Sequence, residues 1–310
     1  MAFYDSEDTL QQVAGRYLRE GLSLGERLFA VVSPGTRDLL RAALGSDAAG
    51  QVDWATDISF RDLGAVSHGY RRLFRERREA GTTVRLISEY HDDVHGTPNV
   101  DRVESWVRLD AAGNEVLSPF GHRWACLYDV RTLPGPLLDR VRRVHPAMLR
   151  ADGPAVGNPD YLEPADYLAA HPERLPPVPG DTGVDLVLHT AEQLRDLRRA
   201  LRDWIARLPV RARGVDPSHG GAVLLAVGEA ATNALQHGHP PVRIRAWAVD
   251  DGVRVRVDGR SDGAIPATAG YWADGSTGIG LLLVRGIADT VRVVTEDGVA
   301  GVGLEFRPGS

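Results

Sequence analysis

Lysine is missing altogether: all 36 basic residues of this 310-residue chain are arginine. A phosphate-loop lysine, a Schiff-base lysine and lysine acetylation are excluded with it. An arginine-only chain suggests a GC-rich genome, which concerns codon supply rather than function. Cysteine is nearly absent. The single thiol, Cys126, excludes an intramolecular disulfide and fits a reducing compartment. No apolar run approaches the ~20 residues that cross a bilayer. The opening stretch MAFYDSEDTL is mixed rather than a charged-then-apolar leader. A cytoplasmic protein with no membrane partner is expected. Positive charge is also in deficit, and a net charge of −6 gives no electrostatic case for binding nucleic acid directly. What remains is ordinary for a globular protein, with 43% hydrophobic and 25% charged residues. The length suits about two domains, and no internal repeat is evident.

In the first half, strands alternate with helices. Leu10, Val13, Tyr17 and Leu18 predict an amphipathic helix over 8–21, closed near Gly21. Leu28–Val32 is a continuous apolar run, the mark of a strand buried on both faces. Ser33-Pro34-Gly35 breaks it, and Thr36–Leu44 reads as a helix. Strands at Val84–Ile87 and Trp124–Tyr128 and a helix over Pro136–Val144 complete an α/β pattern with a mostly parallel sheet. The turn after Val32 is where such a fold cradles phosphate. Here it reads SPGTRDLL, without a glycine-rich loop or a Lys-Ser/Thr pair, so a turn without nucleotide binding is expected.

Pro172, Pro176, Pro177 and Pro179, with Gly180 and Gly183, predict a break over 165–183 and an extended, semi-stiff connector. Beyond it, Leu186–Leu188 reads as a strand and 191–208 as an amphipathic helix whose arginine face is solvated. The next helix, Val223–Gly238, organises the second half. Its apolar residues recur three or four apart, yet Glu229 and Asn233 sit one turn apart on one face, with His237 at the following turn. Gly238 is expected to end it as a left-handed cap. A carboxylate and a carboxamide on a mostly buried helix need partners. A magnesium ion with phosphate oxygens would supply them, since Asn oxygen and Glu-held waters are hard ligands. Strict alternation over Val242–Ala248 and Val253–Val257 predicts antiparallel strands, one face covered by the two long helices. Asp258 ends the second strand. Gly275–Leu281 is glycine-rich and opens a helix with Ile279, Leu282, Leu283, Val284, Ile287 and Ala288 on its buried side. Val291–Thr295 and Val302–Phe306 are the closing strands.

The stretch GEAATNALQHG resembles the N box of the GHKL ATPase superfamily, and most closely that of the anti-sigma-factor serine kinases. The resemblance implies a Bergerat-type α/β two-layer sandwich over 184–310 that uses ATP and Mg²⁺. It implies that Asn233 holds Mg²⁺, that Glu229 is the general base, and that His237 lies at the nucleotide. By the same resemblance Asp258 accepts a hydrogen bond from the adenine amino group. Gly275, Thr277, Gly278, Ile279, Gly280 and Leu281 are the second glycine box, and 259–277 is a flexible lid. The first glycine box departs from the family: after Asp258 comes Gly259-Arg260-Ser261-Asp262-Gly263, with neither glycine in register, so Asp262 rivals Asp258. Gly301-Val302-Gly303 lacks the usual Gly-Thr.

A second resemblance lies upstream. WACLYDVRTLPGPLLDRVRRVHP followed by NPDYLEP, and FYDSEDTL with YLREGLSLGERLFAVV, are similar to the MEDS (methanogen/methylotroph sensory) family. This implies a RecA-like, mostly parallel sheet domain over 1–168, without a working phosphate loop, that serves as a sensory input. A connector, 169–183, would follow it. Cys126, Tyr128, Asp129 and His145-Pro146 match that family, making Cys126, Tyr128 and His145 the sensory candidates. Cys126 is read either as packing or as a redox or ligand-sensing thiol, and His145 as a partner of a helix dipole. His91 and His95 fall in a loop-like stretch and are not expected to bind metal. Together the resemblances imply a sensory anti-sigma factor acting in signal transduction and transcription regulation. Its ATP-dependent serine/threonine protein kinase activity would act on an anti-anti-sigma (STAS-type) partner, with a sigma factor as second partner and a homodimer formed through the ATPase domain. The alternative is a non-catalytic protein-binding switch with weak or no nucleotide binding. A histidine kinase fits less well, because no helix pair with a phosphoacceptor His precedes the second domain.

Overall fold

The computed structural model describes residues 1–55, 81–90, 100–117, 121–214, 217–271 and 280–307. Its two compact units divide the chain between Leu168 and Ala169.

The first unit is an α/β layer structure. Strands β1 (Ala2–Tyr4), β2 (Arg27–Val31), β3 (Val52–Trp54), β4 (Val84–Tyr90) and β5 (Arg123–Asp129) form one parallel sheet in the order β1-β5-β4-β2-β3. All seven residues of β4 are buried, as expected of a strand with helices on both faces. Helix α1 (Glu7–Ser23) is capped by Ser6, whose hydroxyl accepts the Thr9 N–H at 3.2 Å. It runs past Gly21, so the expected stop is corrected. Gly21 is buried, and a Cβ there would come within 2.5 Å of Leu28 and 2.6 Å of Arg85. The glycine lets the helix lie close on the sheet; Gly25, at φ +68°, turns the chain instead. Helices α2 (Pro34–Leu44), α3 (Ser46–Ala49), α4 (Val100–Leu117), α5 (Gly135–Arg143) and α6 (Pro164–Ala170) follow, with a two-stranded ribbon of β6 (Ala147–Met148) and β7 (Val156–Gly157) between the last two.

Helix α4 has no clean apolar stripe, which hid it from the sequence pattern. Ser105 and Arg108 are buried alongside Trp106, Val107 and Leu109, so polar positions face inward as well as out. Helix α6 corrects the expected break at 165: Tyr167 and Leu168 are buried in it, and regular structure ends only at Ala170.

The turn between β2 and α2 is closed from within. Glu89, 1% exposed at the end of β4, accepts the Tyr4 hydroxyl at 2.7 Å, the Ser33 N–H at 2.8 Å and the Thr36 hydroxyl at 2.6 Å. Ser33 and Thr36 open α2, whose positive end would otherwise suit an anion. A carboxylate of the neighbouring strand fills that seat, in agreement with a turn that lacks phosphate-loop residues.

The second unit is a two-layer sandwich. Strand β8 (Val184–Leu188) leads through a short turn at Ala191–Gln193, closed by a Thr190/Gln193 capping box, into α7 (Leu194–Arg207). Then come α8 (Val210–Arg213), α9 (Pro217–His237), β9 (His239–Val249), β10 (Gly252–Arg260), α10 (Gly280–Ile287), β11 (Thr290–Glu296) and β12 (Val299–Phe306). The sheet is antiparallel throughout, in the order β11-β12-β10-β9-β8. Val253, Val255 and Val257 turn inward to Leu197 and Leu201 of α7 and Val223, Val227 and Ala231 of α9. The arginines between them turn outward, as their alternation required.

The connector is extended but not free. Residues 171–183 form neither helix nor strand and pack on the outer face of this sheet. Leu175 lies against Gly301, and a Cβ on Gly303 would come within 3.0 Å of Pro176. Pro177 and Pro179 share a cleft with Trp204 and Trp247. The glycines at 301 and 303 make room for this strap.

Replacing Glu89 by Gln should place an amide N–H among three donors. The first unit is expected to lose about 1–3 kcal/mol of stability, read as a lower midpoint for its transition in urea unfolding of the full chain. An unchanged midpoint would show that this seat is not part of what holds the unit together.

Candidate functional site

Glu229, Asn233 and His237 stand at successive turns of α9. Gly238 stops the helix, its N–H returning to the Ala234 carbonyl at 3.1 Å. The expected left-handed cap is corrected, because Gly238 is absent from the positive-φ glycines of the chain. Close approach requires glycine here: a Cβ would fall 2.6 Å from the Arg260 carbonyl oxygen and 2.7 Å from that of Ala234.

The far wall of this face is the start of α10. A Cβ on Gly280 would lie 2.7 and 2.9 Å from the side-chain amide nitrogen and oxygen of Asn233, and 3.0 Å from Glu229 Oε2. The first residue of α10 therefore rests on both polar side chains at once, and a larger residue there would have to displace their ends.

Beside this contact opens a cavity of about 470 Å³. Asn233, His237, Asp262 and Leu281 line it, together with an apolar surface that includes Ala230, Ala234, Val257, Ile265 and Val302. Ala269 and Gly270 close one side. Of the residues singled out from sequence, Gly275, Thr277, Gly278 and Ile279 lie outside the described residues, as do His91 and His95. Leu281 lines the cavity, whereas Gly280 and Glu229 meet beside it and are not among its lining residues. Leu283, expected on the buried side of its helix, is 37% exposed, while Leu282 and Val284 are buried.

Asp258 requires a correction. On β10 it alternates with Val257 and so points to the outer face, away from the cavity. There Arg245 and Arg256 engage its carboxylate, Arg256 Nε at 2.8 Å. Asp262, two residues past the end of the strand, is the acid that reaches the cavity, and its Oδ2 lies 2.5 Å from His239 Nε2. The expectation for Asp258 came from taking the strand's last acid as the family's; strand parity excludes it from that face. Ile265, Ala269 and Val302 went unnoticed in sequence because an apolar cavity wall has the same residue types as a core.

In the first unit the sensory candidates do meet. The Tyr128 and His145 rings pack edge-on at 5.7 Å, and the Tyr128 hydroxyl donates to Asp110 at 3.2 Å. Cys126, half-buried on the same strand, receives a contact from the Ser88 hydroxyl at 3.6 Å. Burial pushes the Cys126 thiol up to about 12, so it stays protonated and is a poor nucleophile. Burial lowers His145 to about 3, which keeps the ring neutral. Its Nδ1 sits 2.6 Å from the Val141 carbonyl at the end of α5, so a neutral N–H bond, and not a charge on the dipole, ties it there. Desolvation raises Asp110 to about 7. Among the described residues no cluster of His, Cys, Asp and Glu could hold a metal ion, and no helix is long and apolar enough to cross a membrane.

An antiparallel sheet roofed by helices, with a carboxylate and a carboxamide one turn apart at the cleft, is the two-layer sandwich of the GHKL ATPase class. Residues 188–305 match the family described as the histidine kinase-like ATPase domain, and residues 1–146 match MEDS, the MEthanogen/methylotroph, DcmR Sensory domain. The chain thus joins an N-terminal MEDS domain to a C-terminal histidine kinase-like ATPase domain. No curated protein matches it. Among solved structures it is similar to the RsbU and RsbW domains of Rv1364c from Mycobacterium tuberculosis, at 23% identity and a TM-score of 0.30, over 40% of this chain and 31% of that one. The chain spans less than a third of that protein's length.

The two acids are separable by substitution. Asp262→Ala should weaken adenine-nucleotide binding with little change in stability. Asp258→Ala should leave binding intact and lower stability by stranding Arg245 and Arg256. Calorimetric titration and urea unfolding of both variants check this, and the reverse pattern would restore Asp258 to the site.

Proposed function

We propose that the chain is a sensory anti-sigma regulatory factor whose C-terminal domain binds ATP with Mg²⁺ and phosphorylates a serine or threonine of an anti-anti-sigma (STAS-type) protein. The observation that carries this reading is the junction of Glu229, Asn233 and Gly280 beside an apolar-lined cavity. The donor set fits the groups proposed. The Asn233 oxygen, and water held by Glu229, are hard ligands suited to Mg²⁺. The cavity lies within the ~300–1,000 Å³ usual for small-molecule sites. Asp262 offers a carboxylate to an adenine amino group, and His237 a further polar contact. Bound Mg²⁺ would neutralise phosphate charge.

The chain's own residues supply the rest. The opening of α10, from Gly280 to Leu281, presents backbone N–H groups and the positive helix end to anionic oxygen. Glu229 accepts the proton of the incoming hydroxyl. The apolar wall of Ala230, Ala234 and Val257 keeps water away from the base-binding side. We further propose a sigma factor as second partner, a homodimer through the ATPase domain, a cytoplasmic setting and control by the MEDS domain. A non-catalytic protein-binding switch that binds nucleotide weakly or not at all is the second reading. The altered first glycine box, with neither glycine in register after Asp258, favours it.

ATP with Mg²⁺ should raise the melting temperature of the full chain, since a ligand at a hundred times its Kd stabilises by about 2.7 kcal/mol. Asn233→Ala should abolish the Mg²⁺-dependent part of that shift while the fold survives, because Asn233 faces the cavity. No shift at millimolar ATP would exclude the nucleotide reading.

Glu229→Gln separates the two functional readings. The kinase reading expects nucleotide affinity to change little and phosphoryl transfer to a co-purified anti-anti-sigma partner to fall about a hundredfold or more. Equal transfer by wild type and variant would remove Glu229 as base. Binding without transfer by either would leave the switch.

A further inference from the structure

Arg285, five residues beyond Gly280 on α10, is 6% exposed. Its Nε donates to the Ala269 carbonyl at 3.1 Å and its Nη1 to the Val291 carbonyl at 3.0 Å. The guanidinium lies 4.1 Å from the ring centroid of the buried Tyr271. Glu173 of the connector stands 3.8 Å from Nη1, and its other oxygen accepts the Val293 N–H of β11 at 2.6 Å. Glu173 is itself nearly buried, its side chain 8% exposed.

Between Ala269 and Tyr271, Gly270 adopts φ +77°, and a Cβ there would come within 2.6 Å of Leu281 and 3.1 Å of Arg285 Nε. Ala269, Gly270 and Leu281 line the cavity. One buried guanidinium thus holds the cavity's side wall by hydrogen bond, ring and van der Waals contact. Its charge is met by a carboxylate on the segment that leads in from the first unit.

We infer that Arg285 is the positioning residue of the cleft wall and that Glu173 is the grip through which the connector acts on it. Seating or release of the connector then sets how tightly the cleft holds nucleotide. This rests on the nucleotide reading proposed above. The physical basis is the cost of a buried, unpaired charge. Without the Glu173 carboxylate the guanidinium turns toward water and drops the Ala269 carbonyl, and the wall formed by 269–271 loosens. The same helix carries the displacement to Gly280 and so to Glu229 and Asn233. A signal that lifts residues 171–176 from the sheet therefore weakens the site without touching it.

The test uses the full chain and two readouts. Glu173→Gln keeps an oxygen for the Val293 N–H but removes the charge. In the absence of nucleotide, amides at 269–271 should exchange about tenfold faster, and affinity for ATP·Mg²⁺ should fall by about five- to tenfold. Arg285→Lys keeps the charge but loses the Nε donor and the planar stack, so it should also expose 269–271. Combined, the two changes should do no more than Arg285→Lys alone. Unchanged exchange at 269–271 in Glu173→Gln, strictly additive effects, or wild-type protection in Arg285→Lys would each overturn the inference. So would faster exchange spread evenly over the whole second unit, which marks a merely structural ion pair. If the wild type fails to bind ATP·Mg²⁺, the nucleotide reading falls, and the exchange arm still decides the coupling.

Discussion

The contact of Gly280 with Glu229 and Asn233 is the constraint on which the second unit's site depends. It brings the start of a late helix onto the two polar residues of an earlier one, so closely that a Cβ would have to push their side-chain ends aside. Beside that contact opens the cavity, lined by Asn233 and by the apolar side chains of Ala230, Ala234 and Val257. The contact explains why a mostly buried helix tolerates a Glu and an Asn. They are not stray polar groups in a core but the edge where core gives way to site.

The two units treat a helix start in opposite ways. In the MEDS domain the N-terminus of α2 is filled by Glu89, held by three donors, so an α/β switch point that could have taken phosphate is occupied by the protein's own carboxylate. In the ATPase domain the N-terminus of α10 meets Glu229 and Asn233 beside open volume. The connector differs from a passive tether for a related reason. Its glutamate neutralises a buried arginine behind the cleft wall, and its Leu175 and Pro176 lie where β12 carries glycines.

Much of this was legible in the sequence. Alternation marks β9 and β10 of the second sheet, and apolar runs mark β2, β4 and β5 of the first, while the three-residue β1 and β3 are too short to show a period. The Glu-x-x-x-Asn spacing puts Glu229 and Asn233 on the helix face against which Gly280 packs. What escaped has physical reasons. Asp258 was misassigned because motif order says nothing about strand parity, and parity turns it to Arg245 and Arg256. Gly238 does end its helix, but by close approach to Arg260 rather than by a left-handed turn, and Gly21 lies two residues inside the end of α1 because Leu28 and Arg85 leave no room for a side chain; both depend on residues distant in sequence. Helix α4 buries Arg108 and Ser105 together with its apolar residues, which blurs the stripe. Arg285 looked like one more arginine in an arginine-rich chain, and only burial against Tyr271 and Glu173 sets it apart.

The proposed function requires nucleotide to sit at the Glu229–Asn233–Gly280 junction. The most direct measurement is an NMR titration of the full chain with a non-hydrolysable ATP analogue and Mg²⁺, following the Asn233 side-chain NH₂ and the Gly280 backbone amide. Binding at this junction should give saturable shifts at both, larger than anywhere in residues 1–168. Saturable binding that leaves both signals unmoved would contradict it.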